Sequence, residues 1–438
     1  MQAEAATLAR VAMSPADEVA LVRKVSWRVL PFLILCFFVA FLDRVNVGFA
    51  ALHMNRSLGF TPTVFGLGAG IFFIGYFLFE IPSNLALHRF GARVWISRIM
   101  ISWGVLACAC VLVRGETSFL VLRFLLGAAE AGFFPGVLLY MTYWFPAAAR
   151  ARVMSVFSLG SVVSLVIGSP LSGLVLSLGT RAGLENWQWL FLLEGVPSIL
   201  LGVIAFFFLT DRPRDARWLS DRECRWLHDT ISREQATNER PHHPLAALRD
   251  PRGLFLAGAA MLNIMAIYGV TMWLPQLVHS AGHLTDLQTG LVTSLPFLCT
   301  AVAMTVNGAH SDRTGDRKWH ILLCALGGAA GFVLTALAAS PVLGLLGICL
   351  AAMGIWSSNT VFWTVPMRLF SGASAAASLA LINSIGNLGG FLGPYFTGWI
   401  RNASGGYEAA LLALGGALAL FGVLMFAFLN SGDGEAAS

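Results

Sequence analysis

Charge is what this 438-residue chain has least of: only 12% of its residues are Asp, Glu, Lys or Arg, about half the ordinary globular density. With 57% hydrophobic residues beside so little charge, most of the surface must meet lipid rather than water, which excludes a soluble enzyme. Histidine and cysteine are also scarce, nine and seven residues. They show no metal-ligand spacing, and the cysteines read as small buried hydrophobes. No apolar run carries a His/Asp/Glu metal pattern or a nucleophile with a positioned base, so membrane-embedded catalysis is disfavoured and neither metal nor cofactor is expected. The net charge of +5 is spread along short connectors and predicts no nucleic-acid partner. The first 28 residues hold no signal-peptide core, so no cleavage or export of a domain is expected.

What the chain has instead is long apolar runs. A bilayer-spanning helix needs roughly 20 such residues, because only a helix satisfies its own backbone in hydrocarbon. Twelve stretches qualify: 29–52, 64–87, 94–113, 118–142, 153–178, 189–210, 253–278, 289–309, 320–339, 342–365, 375–400 and 407–430. The predicted organisation is a cytosolic tail (1–28), a six-helix bundle (29–210), a polar linker with an amphipathic helix over Asp221 to Glu234 (211–252), a second bundle (253–430) and a short cytosolic tail (431–438). With the N-terminus inside, 22 of the 28 Lys and Arg fall on the inner side and four on the outer. That bias places both termini in the cytoplasm.

The halves repeat. Asn84-Leu-Ala-Leu-His88-Arg89-Phe-Gly91-Ala-Arg93 follows the second span and Gly308-Ala-His-Ser-Asp312-Arg313-Thr-Gly315-Asp-Arg317 the eighth. Arg, Gly and Arg recur at an offset of 224 residues, as do Pro170 and Pro394. Two homologous bundles around a midplane cleft are how many secondary transporters are built, since rocking one against the other exposes one site to alternate sides. The second copy, twelve spans and the six-plus-six division resemble the major facilitator superfamily: an all-α polytopic membrane protein with two pseudo-symmetric six-helix bundles. The resemblance implies a gating role for Arg89, Gly91, Arg93, Gly308, Asp312, Arg313, Gly315 and Arg317. Asp312 is free to pair across the bundles, whereas the first copy has His88 in place of the acid and cannot use a carboxylate there.

An ionisable group deep in a span costs several kcal/mol unless it faces a wet cavity or a partner. Six qualify, all in the first half: Asp43, Arg44, Glu80, Arg123, Glu130 and Glu194. Their depths along the helices allow Asp43, Arg123 and Glu130 to form one vertical track with Arg44 beside it. Glu80 reads as a cap or a partner for loop arginines, and Glu194 as a structural partner. Asn359, Trp363, Asn383 and Asn387 of the second half are candidates to line the cleft.

The segments Phe41-Leu-Asp43-Arg44-Val-Asn46, Gly75-Tyr76-Phe-Leu-Phe-Glu80-Ile-Pro82, Arg123-Phe-Leu-Leu-Gly127-Ala-Ala-Glu130 and Asn383-Ser-Ile-Gly386-Asn387 resemble the anion:cation symporter family within that superfamily. Tyr143-Trp144-Phe145-Pro146 and Trp187-Gln-Trp189 look most like its bacterial tartrate-type members. The resemblance implies proton coupling at Asp43 and Glu130, substrate contact from Arg44 and Tyr76, and a switching Arg123. The expectation is a monomeric carrier in the bacterial cytoplasmic membrane that imports a small carboxylate, tartrate-like first and an aromatic or sugar acid second, together with protons. An exporter of a metabolite or drug is the alternative, and the repeat argues against a channel.

Overall fold

The computed structural model describes residues 13–238, 250–370 and 373–431. The first half contains α1 (Pro15–Leu58), α2 (Pro62–Phe90), α3 (Ala92–Ala109), α4 (Glu116–Glu130), α5 (Phe133–Trp144), α6 (Ala147–Leu176) and α7 (Asn186–Phe208). The linker carries α8 (Asp221–Asn238). The second half contains α9 (Pro251–Gly282), α10 (Asp286–Thr314), α11 (Lys318–Ala336), α12 (Pro341–Phe362), α13 (Thr364–Leu369), α14 (Ala373–Ser404) and α15 (Glu408–Leu429). Eleven helical stretches among the described residues are long and apolar enough to cross a membrane. The twelfth long helix is the 32-residue α14, richer in Ser, Asn and Gly than the others. The predicted tail 431–438 lies outside the described residues except for Ser431.

Polar residues and glycines end several of the helices. Ser14 caps α1 ahead of Pro15, and Gly59, at φ 69°, closes that helix in the left-handed region. Thr61 caps α2 ahead of Pro62. These residues meet the orphan backbone groups of a helix end. Two spans read as single are each two helices. The fourth breaks at Ala131 and at Gly132, whose φ is 86°, directly after Glu130; the tenth breaks at Trp363. Helix α1 begins at Pro15, so much of the predicted tail is a continuation of the first span.

The two halves pack by one plan. In the first, α1 lies on α6 and α7, α2 on α4, and α3 on α7; in the second, α9 lies on α14 and α15, α10 on α12, and α11 on α15. Span for span these are the same pairs. The halves meet through α2 with α14, α6 with α10, and α1 with α9. Lipid gives helices no hydrophobic reason to associate, so close packing of small residues must do it. Gly66 of α2 sits so close to α14 that a Cβ there would lie 2.5 Å from the Pro394 carbonyl oxygen; at Gly290 of α10 it would lie 2.4 Å from that of Ser169, beside Pro170. Gly66 and Gly290 are themselves 224 residues apart, so one crossing is the repeat image of the other. Both lie towards the end of the molecule opposite the linker.

At the linker end, the chain is tied to the first bundle. Trp218 stacks on Trp144 with centroids 5.5 Å apart, Lys24 bonds Glu223 at 2.9 Å, and Arg150 bonds Glu234 at 3.1 Å. Leu227 and Ile231 of α8 are buried. The first copy of the repeated motif finds its acid in this linker: the Arg93 amide donates to Asp211 Oδ1 at 2.8 Å, beside Gly91 at φ 86°. Asp211 thus supplies the carboxylate that position 88 lacks. The expectation for Asp312 is corrected, because it pairs with Arg317 of its own turn at 2.8 Å. Gly315, at φ 72°, folds that turn back and so brings the two side chains together within one half. Gly308 lies near Thr360, and Arg313 is exposed.

Candidate functional site

Halfway along α1 the neighbours Asp43 and Arg44 diverge, as consecutive residues on a helix must. Arg44 turns into the cleft. Its Nε and Nη2 donate to Glu130 Oε1, the former at 3.1 Å, and its Nη1 donates to the hydroxyl oxygen of Tyr268 at 3.1 Å. Tyr76, Phe72 and Phe41 put their rings 5.4, 5.5 and 5.7 Å from the guanidinium. The Arg44 side chain keeps 13% of its exposure and Glu130 only 1%. A charge-assisted pair, with two guanidinium nitrogens on one carboxylate oxygen and aromatic rings around it, therefore sits where the halves meet. Tyr268 belongs to α9 and lies 224 residues beyond Arg44, so the bond joins the two repeats at equivalent positions.

Towards the linker end, one turn beyond Tyr76, Glu80 accepts from Asn383 Nδ2 and Ser384 Oγ of α14, each at 3.1 Å. Rather than capping a helix, it bridges the halves beneath Arg44. Towards the opposite end, the halves are joined by His53 Nε2 with Asp286 Oδ1 at 2.9 Å. The cleft is thus pinned above and below the arginine.

The single vertical track is corrected. Asp43 points into the first bundle, where it accepts from Trp103 Nε1 at 2.8 Å and from Ser198 Oγ. Arg123 is fully buried, donates from Nε to the Gly68 carbonyl at 3.2 Å and lies 5.1 Å from the Phe72 ring it shares with Arg44. Its Nη1 and Nη2 have no hydrogen-bond partner among the described residues. Spacing orders the groups along each helix, but helices apolar all round leave the azimuth to packing.

Of the second-half candidates, the structure brings Asn383 to the cleft, held by Glu80. Asn387 follows one turn later on α14, half-buried. Asn359 and Trp363 are half-buried near the end of α12, with the Trp363 ring 5.5 Å from that of Phe362; no hydrogen bond joins either side chain to Arg44. Sequence reasoning missed Tyr268, Trp103, Ser198 and the bridging by Glu80. Extending the 224-residue offset to Arg44 would have found Tyr268.

Comparison with known proteins agrees with this architecture. The family model described as Major Facilitator Superfamily matches residues 33–394 and again 281–437. A putative tartrate transporter of Agrobacterium vitis is 45% identical, covering 94% of this chain and 92% of its own. A quinolone resistance transporter of Acinetobacter baumannii is 42% identical over 92% and 93%. Among solved structures, the inward-facing, unoccupied bacterial homologue of the human lysosomal transporter Spinster superposes with a TM-score of 0.77 at 17% identity, covering 97% of this chain and 98% of that one. A twelve-helix, two-bundle chain with an ion-paired arginine in its cleft, matched by that family over nearly its whole length, is a multi-pass membrane transporter and belongs to the major facilitator superfamily.

Proposed function

We propose that this transporter imports a small organic anion, a tartrate-like dicarboxylate, together with protons by alternating access. The observation that carries the reading is Arg44, held between Glu130 of its own bundle and Tyr268 of the other. An arginine fork suits a carboxylate, but here Glu130 already fills it. Protonation of Glu130 removes that competitor and frees the fork for the substrate; substrate release lets the pair re-form and drives the proton off. Because Arg44 also holds Tyr268, exchanging Glu130 for substrate changes the contact between the bundles, which couples occupancy to their rocking.

The other residues take roles around this exchange. Tyr76 walls the anion site. Arg123, with two unpartnered nitrogens, offers a second positive contact or a switch of partner for Glu130. Asn383, Asn387, Asn359 and Trp363 serve as neutral hydrogen-bonding or aromatic lining. Arg89, Gly91, Arg93, Gly308, Asp312, Arg313, Gly315 and Arg317 form the gating loops at the linker end, which the positive-inside bias makes cytosolic. The setting is the bacterial cytoplasmic membrane, and one chain holds a complete cleft, so the monomer is the working unit. The relative named as a putative tartrate transporter supports the substrate class. The rings of Phe41, Phe72 and Tyr76 around Arg44 favour an aromatic acid as the second reading.

Thermal unfolding of purified protein with tartrate, gluconate and benzoate tests the assignment. A ligand at 100 times its Kd stabilises by about 2.7 kcal/mol, so tartrate should raise Tm by a few degrees, more at pH 6 than at pH 8, and leave Arg44→Ala unmoved. Stabilisation that survives Arg44→Ala would refute this site.

A further inference from the structure

Glu194 of α7 takes no part in the cleft, yet it is buried close to Asp43. Its Oε1 accepts from Ser172 Oγ of α6 at 2.7 Å, and one turn further along the same face Ser198 donates to Asp43. Asn46, one turn beyond Asp43 on α1, fills the space beside both. None of Asp43, Asn46, Trp103, Ser172, Glu194 and Ser198 is more than 2% exposed. Three of these side chains are under-bonded: Asp43 Oδ1, Glu194 Oε2 and both polar atoms of Asn46 have no hydrogen-bond partner among the described residues.

Among the described residues the donors to the two carboxylates are hydroxyls and an indole, with the neutral Asn46 amide beside Glu194; none is a cation. Arg44 is directed into the cleft and Arg123 onto the Gly68 carbonyl. The other titratable groups facing the pair are Cys108 and Cys110 on the α3 side, and beyond them Glu130 of α4. From α6 the facing group is the neutral Ser172. Two buried carboxylates without a positive partner cannot both stay charged, because desolvation and mutual repulsion act together. A shared proton resolves this, and the under-bonded oxygens are where it can sit.

We infer that Asp43 and Glu194 form a coupled pair that carries one proton, on one carboxyl or the other, with Glu194 a further proton-carrying residue of the transporter. The pair lies on a polar ladder. At about 1.5 Å per residue, Ser172 is about 6 Å, Glu194 about 12 Å and Asp43 about 22 Å from the ends of their helices opposite the linker. A proton from water on that side binds a Glu194 oxygen lone pair, and the new O–H bond breaks again as the proton passes to Asp43 beside Arg44. This extends the proton symport proposed above and rests on it for its physiological role.

Infrared spectroscopy of the full chain in lipid bilayers tests it without a substrate. Wild-type protein at pH 7 should show the carbonyl stretch of a protonated carboxyl that is lost or shifted in both Glu194→Gln and Asp43→Asn and retained, shifted, in Glu194→Asp. Should Glu194→Gln fail to fold, Ser172→Ala, which removes only the hydroxyl donor, should shift the same band. A wild-type spectrum without the band, or a band indifferent to the substitutions at Glu194 or Ser172, overturns the pair. In parallel, pH-gradient-driven uptake of labelled tartrate is measured; Glu194→Gln should move its midpoint by about one pH unit or more, tenfold in proton concentration. A sensitive band without gradient-driven uptake in the wild type sinks the symport reading and keeps the pair; gradient-driven uptake with an unchanged midpoint in Glu194→Gln sinks the pair and keeps symport.

Discussion

Arg44 and Glu130 decide how the cleft behaves, and their energetics differ from those of a surface ion pair. Truncating one partner of a buried pair strands the other charge and costs about 3–5 kcal/mol, whereas removing both can be neutral. Glu130→Ala should therefore destabilise the protein more than Glu130→Ala combined with Arg44→Ala. A double-mutant cycle of unfolding free energies should give a coupling of about 1–3 kcal/mol; no coupling would mean that the two do not meet. Arg44→Lys keeps the charge but loses the planar fork, so substrate affinity should fall about tenfold or more, which is 1.4 kcal/mol, and binding titrations will read it. The sequence made all six deep charges legible by their cost in lipid. Their partners were not legible. Asp43 and Arg44 differ by one residue and go to opposite surroundings, because Trp103 and Ser198 line the bundle side of α1 and Tyr268 the cleft side.

Helices in this chain are positioned by small residues, and the repeat makes that testable twice. A Leu at Gly66 drives into the Pro394 backbone and a Leu at Gly290 into that of Ser169; overpacking of this kind costs about 1–3 kcal/mol. Both substitutions should splay the bundles at the end opposite the linker and give the same phenotype. A cysteine placed at Met272, where α9 backs onto Gly48 of α1, should then react faster with an impermeant maleimide. Unequal effects of Gly66→Leu and Gly290→Leu would contradict the pseudo-symmetric reading. The linker helix responds to pH instead. Burial pushes the Glu223 carboxyl up, but the bonds from Lys24 and Ser220 outweigh it and hold the group below the ordinary carboxylate range. A carboxylate held low when folded stabilises above its unfolded pKa of about 4.3 and loses that contribution as pH falls through its folded value. With Lys24 44% exposed, Lys24→Gln should cost under about 1 kcal/mol at pH 7 and progressively less as pH falls through the folded value of Glu223. The spans were legible from their long apolar runs. The breaks after Glu130 and at Trp363 were not, because a continuous apolar run does not mark where a helix bends around its neighbour.

At the scale of the molecule, two near-equivalent bundles hold unequal chemistry. The deep charges lie in the first, and the second answers Arg44 with Tyr268 and Glu80 with Asn383 and Ser384. In the function proposed above, the charged half binds, the neutral half closes upon it, and the rocking depends on one ion pair. The 224-residue offset revealed the two halves from sequence alone, and the same offset in three dimensions relates Arg44 to Tyr268 and Gly66 to Gly290. The most direct test of this account uses proteoliposomes and labelled tartrate. Wild-type protein should accumulate tartrate against its gradient when the outside is acidic. Glu130→Gln, which mimics the protonated acid, should still exchange tartrate across the membrane at equilibrium but lose accumulation. Accumulation by Glu130→Gln equal to that of the wild type, or wild-type uptake indifferent to the pH gradient, would contradict it.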